Sequence, residues 1–206
     1  MKIAVIAAGG RTGRAFVAAA LRHGHTVRAG VRGKNPFQPQ PGLEVVACDA
    51  THYKEVSELI RGQDAVVSLI GHVRGSPADV QSAAIQTVIR AMQRRHMRRI
   101  VSLTGTGVRF PDDNIPLFDE LLNAALHMAD PSRLEDGDHH AEALVQSGLD
   151  WTIVRVLKLT NGGPRPFRLT AHGPTKPFVS RSDVAEAILD VLKHNSFHRV
   201  APILSR

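Results

Sequence analysis

The chain holds a single cysteine, Cys48, so it has no internal disulfide and no cysteine-based metal site. Tyrosine and tryptophan occur once each, and aromatics make up only 4% of the residues. A core of this composition is built from Val, Ile, Leu and Ala. No run approaches the roughly 18 to 20 apolar residues that span a bilayer. The opening "MKIAVI" is broken by glycines and Arg11 too early to read as a signal peptide. Repeats and low-complexity tracts are absent from the pattern as well. These features predict a cytoplasmic protein with no membrane partner, and 206 residues suit one α/β domain rather than two.

Basic residues are in surplus: 26 Lys and Arg against 19 Asp and Glu give a formal charge of +7. Such an excess favours anionic partners. The densest patch, "QRRHMRRI", carries Arg94, Arg95, Arg98 and Arg99. No aromatics interleave with these arginines, so the patch reads as a helix C-terminus turning into a strand rather than as a nucleic-acid footprint.

Apolar strand-like runs fall at residues 2–7, 26–31, 43–47, 65–70, 99–104 and 151–156, with helical patterns between most of them. One helix is predicted from Ser76, with Pro77 at its first position and Val80, Ala84, Val88 and Ala91 on its buried face. Another is predicted from about Asp138 to Ser147, stopped by Gly148. A third follows Ser180, which caps with Asp183 three residues on and buries Val184, Ile188, Val191 and Leu192. Strands apolar on both faces, alternating with helices, predict a doubly wound parallel sheet in one α/β domain. Segments 105–135 and 156–180 interrupt the rhythm after strands. They are expected at the carboxyl edge, where open α/β sheets bind ligands, and there they build the substrate side.

Between the first strand and first helix lies "AAGGRTG", residues 7–13. Gly10 and Gly13 fit the last two glycines of a dinucleotide fingerprint: one lets backbone approach a pyrophosphate, the other lets the helix press on the strand. Ala7 stands where the tight turn ordinarily has glycine. Arg11 and Thr12 complete the loop, whose helix N-terminus offers free N–H groups to phosphate.

This loop, together with "SGLDWTIVR" and "VSRSDVAEAI", resembles the atypical short-chain dehydrogenase/reductases from end to end. It is most similar to their NmrA-like and biliverdin-IXβ/flavin-reductase-like branch. The resemblance implies a single Rossmann domain binding NADP(H), with a small C-terminal portion facing the substrate. By matching position it implies that Asp49 and Ala50 approach the adenine, and that Leu69, Ile70 and Gly71 line the adenosine-ribose side. Thr104 and Gly105 would border the nicotinamide, with Val156, Leu157 and Lys158 nearby. Asp49 reads equally as a cap in "DATHYKEV", and the two roles are compatible.

The resemblance supplies no catalytic acid. The Tyr-x-x-x-Lys pair of classical members is missing, since the single tyrosine, Tyr53, lacks that spacing. His139, His140 and His72 are the weak candidates, because a histidine serves as a general acid near neutral pH. Each reads first as a surface histidine. The adjacent His139 and His140 diverge by about 100° on a helix and cannot easily share a metal ion. Neither a Gly-x-Ser-x-Gly elbow nor a Walker lysine is present.

Two functions remain open. One is an NADPH-dependent reductase of a flat, diffusible acceptor such as a flavin, quinone or tetrapyrrole-like ring. The other is a non-catalytic NADP(H) sensor of the NmrA type, which needs extra surface for its partner. The second strand ends at Arg32, with Lys34 two residues on and no acid in the run, which predicts recognition of a 2′-phosphate. Because the sheet accounts for each apolar stripe, a monomer or weak homodimer is expected.

Overall fold

The protein is seen in a computed structural model that describes residues 1–206, the side chains of Leu126 and Ala129 excepted. Six strands form the parallel body of the main sheet: β1 (Lys2–Ile6), β2 (Thr26–Val31), β3 (Leu43–Ala47), β4 (Ala65–Ser68), β5 (Arg99–Gly105) and β6 (Asp150–Val156). Their spatial order is β3-β2-β1-β4-β5-β6. β1 is hydrogen-bonded to β2 on one side and β4 on the other, so the order reverses there. At such a reversal the flanking connections leave on opposite faces and open a crevice.

Alternation of side chains along each strand builds two cores. Ile3, Val5, Ala29, Val67, Val101 and Val154 face α1 (Arg11–Arg22) and α6 (Arg181–Lys193). Ala4, Ile6, Val66, Ile100 and Ile153 face α2 (Tyr53–Ile60), α3 (Val80–Arg94) and α5 (Pro131–Gln146). The result is the doubly wound, Rossmann-type α/β fold, in one domain.

Several boundaries differ from those read in the sequence. β1 stops at Ile6 because Ala7 turns sharply, with φ +59°. β4 stops at Ser68, which leaves Leu69 to Gly71 in the loop beyond it. α3 begins at Val80 with Asp79 as its N-cap. The Ser76 hydroxyl instead donates to the Val73 carbonyl and accepts from the Val73 N–H, forming a local turn that delays the helix. α5 begins at Pro131, seven residues before the expected start, and Gly148 takes φ +69° just after it. At α6 the expected cap is present: the Ser180 hydroxyl accepts from the Asp183 N–H at 3.0 Å, and the Asp183 carboxylate accepts from the Ser180 N–H at 2.9 Å.

The segments outside the rhythm contain short elements. α4 (Leu117–Ala129) packs on α5. β7 (Lys158–Thr160) pairs with β9 (Phe178–Ser180) in a separate two-stranded sheet. β8 (Arg168–Thr170) and β10 (Ile203–Ser205) extend the main sheet beyond β6. On α4, Leu117, Phe118, Leu121 and Met128 are exposed. This corrects the expectation that no apolar face is left unclaimed; α4 itself has no counterpart among the helices read from the sequence. Among the described residues no helix is long and apolar enough to cross a membrane.

Candidate functional site

The opening loop sits where β1 meets α1, beside the reversal of strand order. Gly13 lies directly against the strand end: a Cβ there would fall 2.5 Å from the Ala8 carbonyl oxygen and strike that of Ala7. No residue other than glycine allows the helix this approach. Ala7 takes the left-handed conformation that glycine adopts without penalty, so the alanine is strained at the turn. α1 is capped by Gly10, without a side-chain hydrogen bond, and its first turn carries no acid. Its leading N–H groups are therefore free for an anion. These residues fit a dinucleotide pyrophosphate.

The other residues singled out in the sequence collect along the same carboxyl edge. Arg32 follows β2, Asp49 and Ala50 follow β3, and Leu69, Ile70 and Gly71 follow β4. Thr104 and Gly105 end β5, while Val156, Leu157 and Lys158 span the end of β6 and the start of β7. Around Gly71 nothing would crowd a Cβ, and around Gly105 the nearest atom would be 3.9 Å away, so the edge is open there. α5 approaches this edge through Gly137, whose Cβ would lie 3.5 Å from Thr104 Oγ1.

Asp49 does not cap α2, whose N-cap is His52, and instead closes a local turn onto Thr51. Its Oδ1 accepts from the Thr51 N–H at 3.0 Å and the Thr51 hydroxyl at 2.8 Å. The Thr51 N–H, followed by the Thr51 hydroxyl, Arg32 and His52, holds the carboxyl below its ordinary range against partial burial. Its Oδ2 lies 3.9 Å from Arg32 Nη1. Arg32 is 59% exposed, and this loose contact is its only ion pair among the described residues. An exposed pair of that length contributes under about 1 kcal/mol, little beside a phosphate dianion.

The three histidines divide sharply. His139 is exposed. His140 is only 2% exposed, with Nε2 2.8 Å from Ser102 Oγ and Nδ1 without a partner. Burial pushes its pKa down to about 4, so it is neutral at physiological pH and is no surface histidine. His72, in the loop after β4, lies with Nε2 2.8 Å from Asp136 Oδ2 on α5. Tyr53 opens α2, beyond β3 and away from β5 and β6.

Two buried features escaped the sequence. Arg155 on β6 is 0% exposed and forms a bidentate pair with Asp113, while also donating to the carbonyls of Val108 and Ala201. It pins the loop after β5 to the sheet. Asp136 accepts from the N–H groups of Gln81 and Ser82 and from the Ser82 hydroxyl, tying α5 to the start of α3. In the arginine patch, α3 ends at Arg94, Arg95 reaches Ser57 Oγ at 2.8 Å, and Arg99 enters β5 beside Asp150. That is the helix end and exposed turn into a strand expected from the sequence, with the Arg99 side chain itself largely buried. Cys48 is buried and its thiol is pushed up to about 12, chiefly by that burial, so it forms no thiolate near neutrality.

The chain is similar to several known proteins. An uncharacterised chloroplastic protein of Arabidopsis thaliana is 27% identical over 220 residues, covering 100% of this chain and 77% of that protein. A short-chain dehydrogenase/reductase from Veillonella parvula, crystallised with NADP, superposes with TM-score 0.83 at 18% identity, over 100% of this chain and 94% of that one. A candidate NADH-flavin reductase from Streptococcus pneumoniae gives TM-score 0.80 at 22% identity, over 100% and 99%. A family model described as NAD(P)H-binding matches residues 7–195. The chain belongs to this NAD(P)H-binding family and has the fold of the short-chain dehydrogenases/reductases.

Proposed function

We propose that the protein is an NADPH-dependent reductase that transfers hydride to a flat conjugated acceptor such as a flavin, quinone or tetrapyrrole-like ring. The observation that carries this reading is the open carboxyl edge. It runs from Arg32, exposed and only loosely paired with Asp49, past the start of α1, which no side chain caps, to the uncrowded ends of β5 and β6. The first α1 N–H groups bind the pyrophosphate, while Arg32, Lys34 and Arg11 bind the 2′-phosphate. Asp49 and Ala50 flank the adenine, Leu69 to Gly71 flank the adenosine-ribose side, and Thr104, Gly105 and Val156 to Lys158 hold the nicotinamide end. When bound, the reduced nicotinamide supplies the hydride. Holding a planar ring against it in near-attack geometry accounts for much of the rate enhancement without a Tyr-x-x-x-Lys pair.

The test is oxidation of NADPH followed at its absorbance band, with FMN, menadione and a tetrapyrrole offered in turn. Turnover with at least one supports the reductase. The second reading, a non-catalytic NADP(H) sensor, is favoured by one observation: exposed Leu117, Phe118, Leu121 and Met128 give α4 an apolar face for a partner. Tight binding of both cofactor redox forms with no turnover of any acceptor would establish the sensor instead.

A further inference from the structure

Asp136 is satisfied without His72. Three donors from the start of α3 already serve its two oxygens: the Gln81 N–H at 2.8 Å, the Ser82 N–H at 2.9 Å and the Ser82 hydroxyl at 2.5 Å. Burial pushes this carboxyl up, but these bonds and that from His72 outweigh it and hold Asp136 below its ordinary range. It is therefore ionised near neutrality and can only accept. His72 Nε2 must then carry the proton directed at Asp136 Oδ2, which turns Nδ1 away from the carboxylate. No protein group bonds to that Nδ1 among the described residues.

The His72 side chain is 11% exposed and lines a cleft of about 400 Å³ with Arg74, Ser76, Asp130, Ser132 and Arg133. Asp130 is the one carboxylate in that lining, and it already accepts from the Ser132 hydroxyl at 2.9 Å. The cleft opens between the loop after β4 and the start of α5. Gly137, next to Asp136, is where α5 meets Thr104 at the end of β5. A buried carboxylate thus orients an imidazole in the loop after β4, at the carboxyl end of the sheet. Of the other two histidines, His140 faces the core and His139 faces outward.

We propose that His72, oriented by Asp136, is the proton donor of the reductase and acts on an acceptor seated in this cleft. This rests on the reductase reading. The acceptor gains a hydride from NADPH and one proton from Nδ1 of the His72 imidazolium, so it is reduced by two electrons as NADPH becomes NADP⁺ and His72 is left as the neutral Nε2–H imidazole. A proton from solvent then recharges Nδ1, while His72 keeps Nε2–H directed at Asp136 throughout. His72 is the catalytic residue and Asp136 a positioning residue.

The experiment combines kinetics with the ¹⁵N spectrum of the imidazoles. With menadione as acceptor, His72→Gln is expected to lower kcat by about 10²-fold or more and to leave NADPH affinity within about threefold. Free imidazole should restore turnover to His72→Gly. Asp136→Asn should lower kcat with less effect on KM and release the His72 tautomer. Without cofactor, saturating menadione should shift the His72 Nδ1 resonance of the wild-type protein. Turnover by His72→Gln within about threefold of wild type would overturn the proposal while leaving the reductase reading intact. An unmoved Nδ1 resonance would do the same, and it decides the matter alone if the variants fail to fold. Absence of turnover by wild type with every acceptor is a separate outcome, and it removes both readings.

Discussion

The guanidinium of Arg155, fully enclosed between β6 and the loop after β5, holds both carboxylate oxygens of Asp113, with Nη2 donating to Oδ1 at 2.7 Å. The same group lies 5.0 Å from the Phe110 ring centroid. Burial pushes the Asp113 carboxyl up, but the bonds from Arg155 and the Phe110 N–H outweigh it and keep the acid ionised. Removing one partner of such a pair strands the other charge in the interior, at a cost of about 3 to 5 kcal/mol. Asp113→Asn should therefore destabilise the fold strongly in urea unfolding. A loss under about 1 kcal/mol would show that the pair is not the clasp described here.

His140 makes stability depend on pH in a definite direction. Its folded pKa of about 4 lies below the unfolded value of 6.5, so the unfolded chain binds the extra proton first. The stability is fully present above pH 6.5 and is lost as pH falls toward 4, by on the order of 3 kcal/mol. The carboxylates of Asp113, Asp136 and Asp183 are held below their ordinary range and add their losses at lower pH. His140→Leu should flatten the curve between pH 6.5 and 4.5 relative to wild type. Parallel curves for the two proteins would contradict the assignment.

Ala7 is the residue at which the opening loop departs from glycine. Its φ of +59° costs an L-residue about 1 to 2 kcal/mol, offset in part by the greater unfolded-state freedom of glycine. Ala7→Gly should stabilise the protein by about 1 kcal/mol, raising Tm by roughly 2 to 4 °C. The opposite substitution in the same loop, Gly13→Ala, drives a Cβ into the Ala8 carbonyl and should abolish cofactor binding. An unchanged Tm for Ala7→Gly would mean that the turn is not strained.

Much of this architecture was legible in the sequence because the core strands are apolar runs on a regular beat. β2 and β3 are bounded to the residue, and the capping box at Ser180 and Asp183 is local chemistry that three residues reveal. The start of α5 was hidden because Gly137 interrupts the helical pattern, yet a Cβ at that glycine would press within 3.1 Å of Val108 Cγ2 in the loop after β5. β7 to β10 are three residues each, too short for alternation to register. The site features that were missed join distant positions. Arg155 looks like a polar break in an apolar strand until Asp113, 42 residues earlier, is seen against it. His72 and Asp136 are 64 residues apart, and neither carries a local sign of the other.

In the proposed function this edge reads the second phosphate of NADPH, with Arg32 as the principal reader. Arg32, Lys34 and Arg11 around a partly shielded dianion would contribute about 2 to 4 kcal/mol, or roughly 30- to 1000-fold in affinity. The most direct measurement is the ratio of NADH to NADPH dissociation constants for wild type and Arg32→Ala, at low and at physiological salt. A marked wild-type preference for NADPH is expected, weakened by salt and reduced at least about tenfold by Arg32→Ala. Equal binding of the two cofactors by wild type, or a ratio unchanged in Arg32→Ala, would contradict it.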